Sequence, residues 1–278
     1  MRLAISNIAW DTSEDESLAT LLRRLAIDAI DVAPGKYFPD PRAATEAEIS
    51  AVRDWWDKRG IEITGMQSLL FGAAGLNVFG PEAVRNQMLE RLAAVCRIGA
   101  GLGARRLVFG SPKNRDRNGL GDIEAMNIAA PFFRRLGDIA QSFDVVVCLE
   151  PNPPRYGANF MTDCAGTARV VEAIDHPAIR MQFDSGAAAI NGEDAALELK
   201  RHAPLVGHVH ASEPDLVPLG DGGVDHAGVF EALSRYLPDR VVCVEMLATR
   251  NEPHPASIER ALAVAIGCYR GDTKESIA

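Results

Sequence analysis

The chain is predicted to fold as an α/β protein, a single (β/α)8 TIM barrel spanning residues 1–278. Three observations carry that expectation. Short apolar runs alternate with helix-like stretches from end to end, which implies parallel strands. Eight such units fit a chain of 278 residues, an ordinary length for a closed barrel. The first apolar run leads into Ser6-Asn7-Ile8-Ala9-Trp10. A doubly wound open sheet would usually carry a glycine-rich phosphate loop there, and this segment has no glycine.

The units follow in order. Residues 3–8 read as a strand and 14–25 as a helix. Residues 28–33 are short and apolar, 46–58 helical, 61–66 a strand, and 82–102 a long helix. A strand at 106–109 precedes a helix at 123–141. The last four strands are read at 145–149, 179–183, 205–209 and 241–244, with helices at 165–174, 195–201, 227–237 and 258–268. No composition break, linker or low-complexity tract divides the chain, so one domain is expected.

Composition narrows the function. Hydrophobic residues make up 47% and charged residues 24%, as in a globular protein with a large core. A net charge of −9 argues against nucleic acid or an anionic membrane as partner. No apolar stretch has transmembrane length. The first strand is followed by Asp11, Glu14, Asp15 and Glu16, unlike a signal peptide, so a cytoplasmic location is expected. The five cysteines contain no Cys-x-x-Cys pair and read as core thiols.

Four residues at strand ends carry the chemistry. Glu150 ends Val-Val-Val-Cys-Leu-Glu, Asp184 ends Ile-Arg-Met-Gln-Phe-Asp, His210 ends Leu-Val-Gly-His-Val-His, and Glu245 ends Val-Val-Cys-Val-Glu. Side chains alternate along a strand. A phase that turns Glu150, Asp184 and Glu245 inward turns Leu149, Phe183 and Val244 toward the helices. Three carboxylates and an imidazole make an oxygen-rich site for one divalent metal ion, with Mn, Mg or Co favoured over Zn. Such an ion polarises a carbonyl, and a carboxylate beside it can take the proton from the neighbouring carbon. A lone acid at a strand end is often a helix cap; four on consecutive strands are not readily explained that way. His208 shares the inward face with His210 one layer deeper, and Gln182 lies under Asp184. Both are expected to support the ligands rather than bind the ion.

The segments Leu149-Glu150-Pro151-Asn152, Gln182-Phe183-Asp184-Ser185-Gly186 and His208-Val209-His210, followed by Glu245, resemble the xylose isomerase-like barrel superfamily. Within it the chain is similar to sugar phosphate isomerase/epimerase-type proteins, including ketose 3-epimerases. Val108-Phe109-Gly110-Ser111-Pro112 at the fourth strand extends the likeness. The resemblance implies Glu150 and Glu245 as metal-bound acid and base on opposite faces of an enediolate, with Asp184 and His210 as ligands only. It also implies a homodimer or homotetramer. Two features depart from the epimerase pattern. No histidine follows Asp184 in Ser185 to Ala189, and no arginine follows His210 in Ala211 to Leu216.

Substrate contacts are sought on the loops that follow the strands. Lys113 and Arg115 lie past the fourth strand, where they would meet a phosphate or carboxylate; a solvated loop paired with Asp116 is the alternative. Asn152 is a substrate hydrogen-bond donor by resemblance, although an Asn-Pro turn also accounts for it. Trp10 would wall a sugar ring or pack in the core. Glu213 and Asp215 read as solvated acids or hydroxyl contacts, and His226 follows a helix-capping Asp225.

The expected function is a metal-dependent isomerase or epimerase of a sugar, sugar phosphate or polyol. A dehydratase or lyase uses the same proton abstraction. A non-catalytic sugar-binding barrel would not need both glutamates. DNA repair, known on the same barrel, needs histidines from early strands, and all six here lie at or beyond His176.

Overall fold

Eight parallel strands pair in sequence order, and the last returns to the first to close a barrel. The computed structural model describes residues 1–270; residues 271–278 of the expected domain lie outside the described residues. The strands are β1 (Leu3–Ser6), β2 (Ala29–Val32), β3 (Glu62–Met66), β4 (Arg106–Phe109), β5 (Val146–Leu149), β6 (Ile179–Asp184), β7 (Val206–Ser212) and β8 (Val242–Glu245). Around them run α1 (Asp15–Arg24), α2 (Glu46–Asp57), α3 (Glu82–Leu102), α4 (Asp122–Ser142), α5 (Cys164–Ile174), α6 (Ser185–Asn191), α7 (Ala195–His202), α8 (His226–Tyr236) and α9 (His254–Tyr269).

The helices start where short polar side chains can satisfy free amides. Asp163, Asp194 and Asp225 cap α5, α7 and α8, and Thr45 and Glu48 form a capping box on α2. α3 ends at Gly103, whose φ of 84° suits glycine. Among the described residues, no helix is long and apolar enough to cross a membrane.

The core lies between strands and helices. Val147 and Leu149 of β5, Ile179, Met181 and Phe183 of β6, and Val242 and Val244 of β8 all belong to it. The alternate residues point to the barrel axis, where Cys243 packs with Ala4 and Ala29. At the strand N-terminal end, Arg106 Nε donates to the Gly207 carbonyl at 3.1 Å and Arg240 Nη2 to that of Val206 at 3.0 Å. Those arginines seal the end remote from Glu150 and Glu245.

Three elements differ from expectation. β1 stops at Ser6, because the Ser6 side chain accepts the Ile8 amide and turns the chain into a short 3-10 segment, Asn7–Ala9. β7 runs on to Ser212, three residues past the expected end, because Ala211 and Ser212 still pair with Val244 and Glu245 of β8. α6 fills a stretch with no helix-like apolar period, Ser-Gly-Ala-Ala-Ala-Ile-Asn, and starts on an Asp184 cap.

Candidate metal centre

Parallel pairing sets the level of the four strand-end residues. Asp184 on β6 stands opposite His210 on β7, and Ser212 opposite Glu245 on β8. His210 Nδ1 lies 3.3 Å from Glu150 Oε1, 3.3 Å from Glu245 Oε2 and 3.9 Å from Asp184 Oδ2. One ligand-type atom from each of the four lies within 4.8 Å of all the others. His210 is fully enclosed, Asp184 and Glu245 are buried, and Glu150 is half-buried.

Each carboxylate is held by a neutral donor. Ser212 Oγ donates to Asp184 at 2.8 and 2.9 Å, and the Ala187 amide donates to Asp184 Oδ1 at 2.6 Å. Gln67 Nε2, from the loop after β3, donates to Glu245 Oε1. Asn152 Nδ2 donates to Glu150 Oε2 at 3.1 Å. Each glutamate thus has one oxygen fixed by an amide and turns the other toward His210. Glycine makes room for this. A Cβ on Gly110 would lie 1.9 Å from Glu150 Oε2, and one on Gly186 would lie 2.5 Å from Ser212 Oγ.

The electrostatics follow from burying three carboxylates around one imidazole. Burial, then Glu245 and Glu150, raise the Asp184 carboxyl to about 7. Burial disfavours the His210 imidazolium, but Glu245 and Glu150 outweigh it and lift the group well above its ordinary value. Burial also works against ionised Glu245, yet the His210 charge and the hydrogen bonds from His210 and Gln67 keep its carboxyl low. Glu150 Oε1 is buried and faces this centre with no well-formed hydrogen bond, only the 3.3 Å approach of His210 Nδ1. Clustered anionic oxygens with one unsatisfied acceptor fit a divalent cation of the oxygen-seeking kind.

Beneath the centre the side-chain amide of Gln182 meets His208 Nδ1 at 3.0 Å. His208 Nε2 is 2.8 Å from Asp31 Oδ2, and Thr64 Oγ1 donates to Asp31 Oδ1 at 3.0 Å. Asp31 is fully buried. Burial raises its carboxyl, but His208 and then His210 more than reverse this. Asp31, Gln67 and Ser212 were not singled out from sequence. The signal for Asp31 was present, as a lone acid inside the apolar run Ala29-Ile30-Asp31-Val32. Gln67 and Ser212 carry no such mark.

Above the centre opens a cavity of about 490 Å³, whose walls include Gln67, Asn152, Tyr156, Asp215, Glu245 and Leu247. Three expected substrate contacts are corrected here. Arg115 is fully buried and donates through Nη1 to the Glu150 carbonyl at 2.6 Å and through Nη2 to that of Gly110 at 3.2 Å. Its guanidinium braces the backbone under Glu150 instead of facing a ligand. Lys113, next but one, is exposed and does not line the cavity, because the short 3-10 turn Pro112–Arg115 sends it outward. Trp10 is fully buried; its Nε1 donates to Asp15 at 2.8 Å, and its ring meets Trp56 edge-on at 6.5 Å. Of the expected contacts, only Asn152 lines the cavity.

Glu213 is likewise not a solvated acid. It is buried and accepts the amides of Gly220 at 2.8 Å and Val224 at 2.9 Å. His226 Nε2 lies 3.2 Å from Glu213, and its Nδ1 lies 2.7 Å from the Tyr269 hydroxyl.

A closed parallel barrel with polar side chains gathered at its strand C-termini defines the general class of (β/α)8 proteins with a site on that face. The chain belongs to the xylose isomerase-like TIM barrel family, whose profile matches residues 19–266. Similar solved structures include D-psicose 3-epimerase from Clostridium cellulolyticum H10, with TM-score 0.81 and 15% identity over 97% of this chain and 99% of that one. The 3-keto-D-glucoside 4-epimerase YcjR from E. coli gives 0.79 and 18% over 96% and 100%. An L-ribulose 3-epimerase gives 0.80 and 19% over 97% and 94%. At these identities the likeness is one of fold. No curated protein sequence matches the chain.

Proposed function

We propose that this protein is a divalent-metal-dependent isomerase or epimerase of a sugar, acting through an enediolate. The observation that carries the reading is the placement of Glu150 Oε1 and Glu245 Oε2, each 3.3 Å from His210 Nδ1, on the floor of an open cavity. The three fold neighbours act on psicose, ribulose and a keto-glucoside, which supports a sugar.

Glu150, Asp184, His210 and Glu245 would hold the ion. When bound, it supplies Lewis-acid polarisation of the substrate carbonyl. One glutamate, as carboxylate, takes the proton from the carbon beside that carbonyl. The other, as carboxylic acid, returns a proton to the opposite face, and the pair resets through solvent. Asn152 and Gln67 fix the rotamers of the two glutamates, so each reacting oxygen starts in place. Asp184, tied by Ser212 and the Ala187 amide, would serve as a ligand only and take no proton from substrate. Return to the same carbon gives an epimer, and return to the former carbonyl carbon gives the aldose–ketose isomer.

Metal analysis of the purified protein should find about one divalent ion per chain. In D2O, a ligand ketose should take up solvent deuterium at the carbon beside its carbonyl. Glu245→Gln should lower turnover by at least about 10²-fold while binding persists. A protein that binds sugar yet catalyses no exchange, with no divalent ion, would sink the reading.

A further inference from the structure

We infer that the substrate of this site is an uncharged sugar bearing an apolar substituent, with the sugar on the polar floor and the substituent against Phe71 and Leu247 at the mouth. The inference rests on the sugar-isomerase or epimerase reading and adds the substrate class.

Charge comes first. The cavity walls include the acids Glu150, Asp184, Asp215 and Glu245, and no lysine, arginine or histidine among the described residues. Lys113, Arg115, Arg155 and Arg250 lie within four residues of the wall in sequence, and none of them lines the cavity. Arg115 is spent on two backbone carbonyls, Lys113 is exposed away from the cavity, and Arg155 is paired with Asp215. With Glu150, Asp184 and Glu245 engaged by the ion and Asp215 by Arg155, a phosphate or carboxylate on the substituent would meet no cationic side chain lining the cavity. Binding a dianion without a paired cation is strongly unfavourable in a partly dry cleft.

Shape and polarity come second. Among the described residues only four large apolar side chains are prominently exposed: Phe71, Ile123, Leu197 and Leu247. Two of them, Phe71 at 79% and Leu247 at 51%, line this one cavity, together with Leu70 and Leu216. They come from the loops after β3 and β8, so the polar floor and the apolar mouth belong to the same barrel end. A cavity near 490 Å³ is of the size that takes a drug-sized molecule, larger than one sugar ring.

The mouth is also built rather than incidental. Asp215 and Leu216 both take left-handed conformations, with φ of 60° and 53°. Such backbone is costly for residues with a side chain and persists only where neighbours enforce it. Here the Asp215 amide donates to Tyr156 Oη at 2.7 Å, and the Leu247 amide donates to the Leu216 carbonyl at 2.9 Å. The Leu247–Leu216 hydrogen bond joins the two residues on the same wall.

The test is calorimetric titration of the manganese-loaded, full-length protein with three probes: the methyl glycoside of a 3-keto-glucose, its phenyl glycoside, and the 6-phosphate of the methyl glycoside. The phenyl glycoside should bind about tenfold tighter than the methyl, and the phosphate at least about tenfold weaker. The double variant Phe71→Ser, Leu247→Ser should lose the phenyl preference and keep the methyl affinity and bound ion. Equal affinity for phenyl and methyl glycosides, a preference for the phosphate, or no binding of any probe overturns the inference. So does a double variant that changes oligomer mass while the phenyl preference survives, since the two side chains would then seat a second copy of the chain. Ion content and deuterium exchange on the methyl glycoside report on the isomerase reading separately, because the preference is read from binding alone.

Discussion

Arg115 looks like a ligand-binding cation in the sequence and behaves as a bracket in the fold. Burial pushes its guanidinium down to about 10, against the pull of Glu150, yet it remains a cation at neutral pH. Arg115→Met should cost about 2–4 kcal/mol in thermal or denaturant unfolding, since two buried carbonyls lose their donor. Lys113→Ala, two residues away and exposed, should stay within about 0.5 kcal/mol. Chain position told that both residues follow a strand on the catalytic side; it did not tell which carbonyl a guanidinium would grip. Trp10 shows the same limit, because a buried Asp15 supplied an indole partner that no periodicity marks.

The titrating groups of the centre give a second residue-scale outcome. Asp184 has its folded value raised from 3.8 to about 7, so its contribution to stability is full below its unfolded value and is lost as pH climbs toward 7. His210, raised well above 6.5, contributes below its unfolded value and loses that contribution as pH rises through the folded one. Both act in the same direction. Metal-free protein should therefore melt at a lower temperature at pH 8 than at pH 5.5, as read by scanning calorimetry. Added manganese should restore the loss at pH 8. A flat profile without metal would show that the four groups do not crowd one another in solution.

Elements explain why the two glutamates can stand where they do. β4 ends next to Gly110, and only a missing side chain there admits Glu150 Oε2. Gly110→Ala should fold, since the barrel core is untouched, but displace the Glu150 side chain and lower manganese affinity at least about tenfold in a titration. A variant with unchanged affinity would show that Glu150 has room to spare. The strand ends themselves were readable, because apolar runs broken by a charged residue stand out against helical stretches. α6 was not readable. Its run of alanines has no amphipathic period, and its start signal, Asp184, already had a reading as a ligand. Asp184 does both jobs, accepting the Ala187 amide while its other oxygen approaches His210.

At the scale of the molecule, closure of the barrel decides who meets whom. The expectation of eight units was legible in the alternation of patterns, and with it the order of neighbours. Glu150 just past β5, Asp184 and Glu245 at the ends of β6 and β8, and His210 within β7 stand on successive strands, so neighbour pairing alone brings them together. Asp31 within β2 and Gln67 just after β3 lie on the opposite arc and reach His208 and Glu245 across the barrel axis. Contacts across an axis join residues far apart in sequence, so even where a lone acid such as Asp31 marks one end, the local pattern does not name its partner. That is why the hold of Gln67 on Glu245 and of Asp31 on His208 went unread, whereas Gln182 and His208, on the ligand strands themselves, were read as supports.

Glu213 has a consequence in time rather than in space. By accepting the amides of Gly220 and Val224, it substitutes for the sheet neighbour that the segment between β7 and α8 lacks. The same loop carries Asp215 and Leu216 of the cavity wall, so its anchorage leaves little ordering to be done on encounter. Ligand entry should then be a single docking event. In stopped-flow mixing, the observed rate should rise linearly with ligand concentration, with no slower phase that levels off. Glu213→Ala should introduce such a phase, because the wall would then have to assemble around its guest each time.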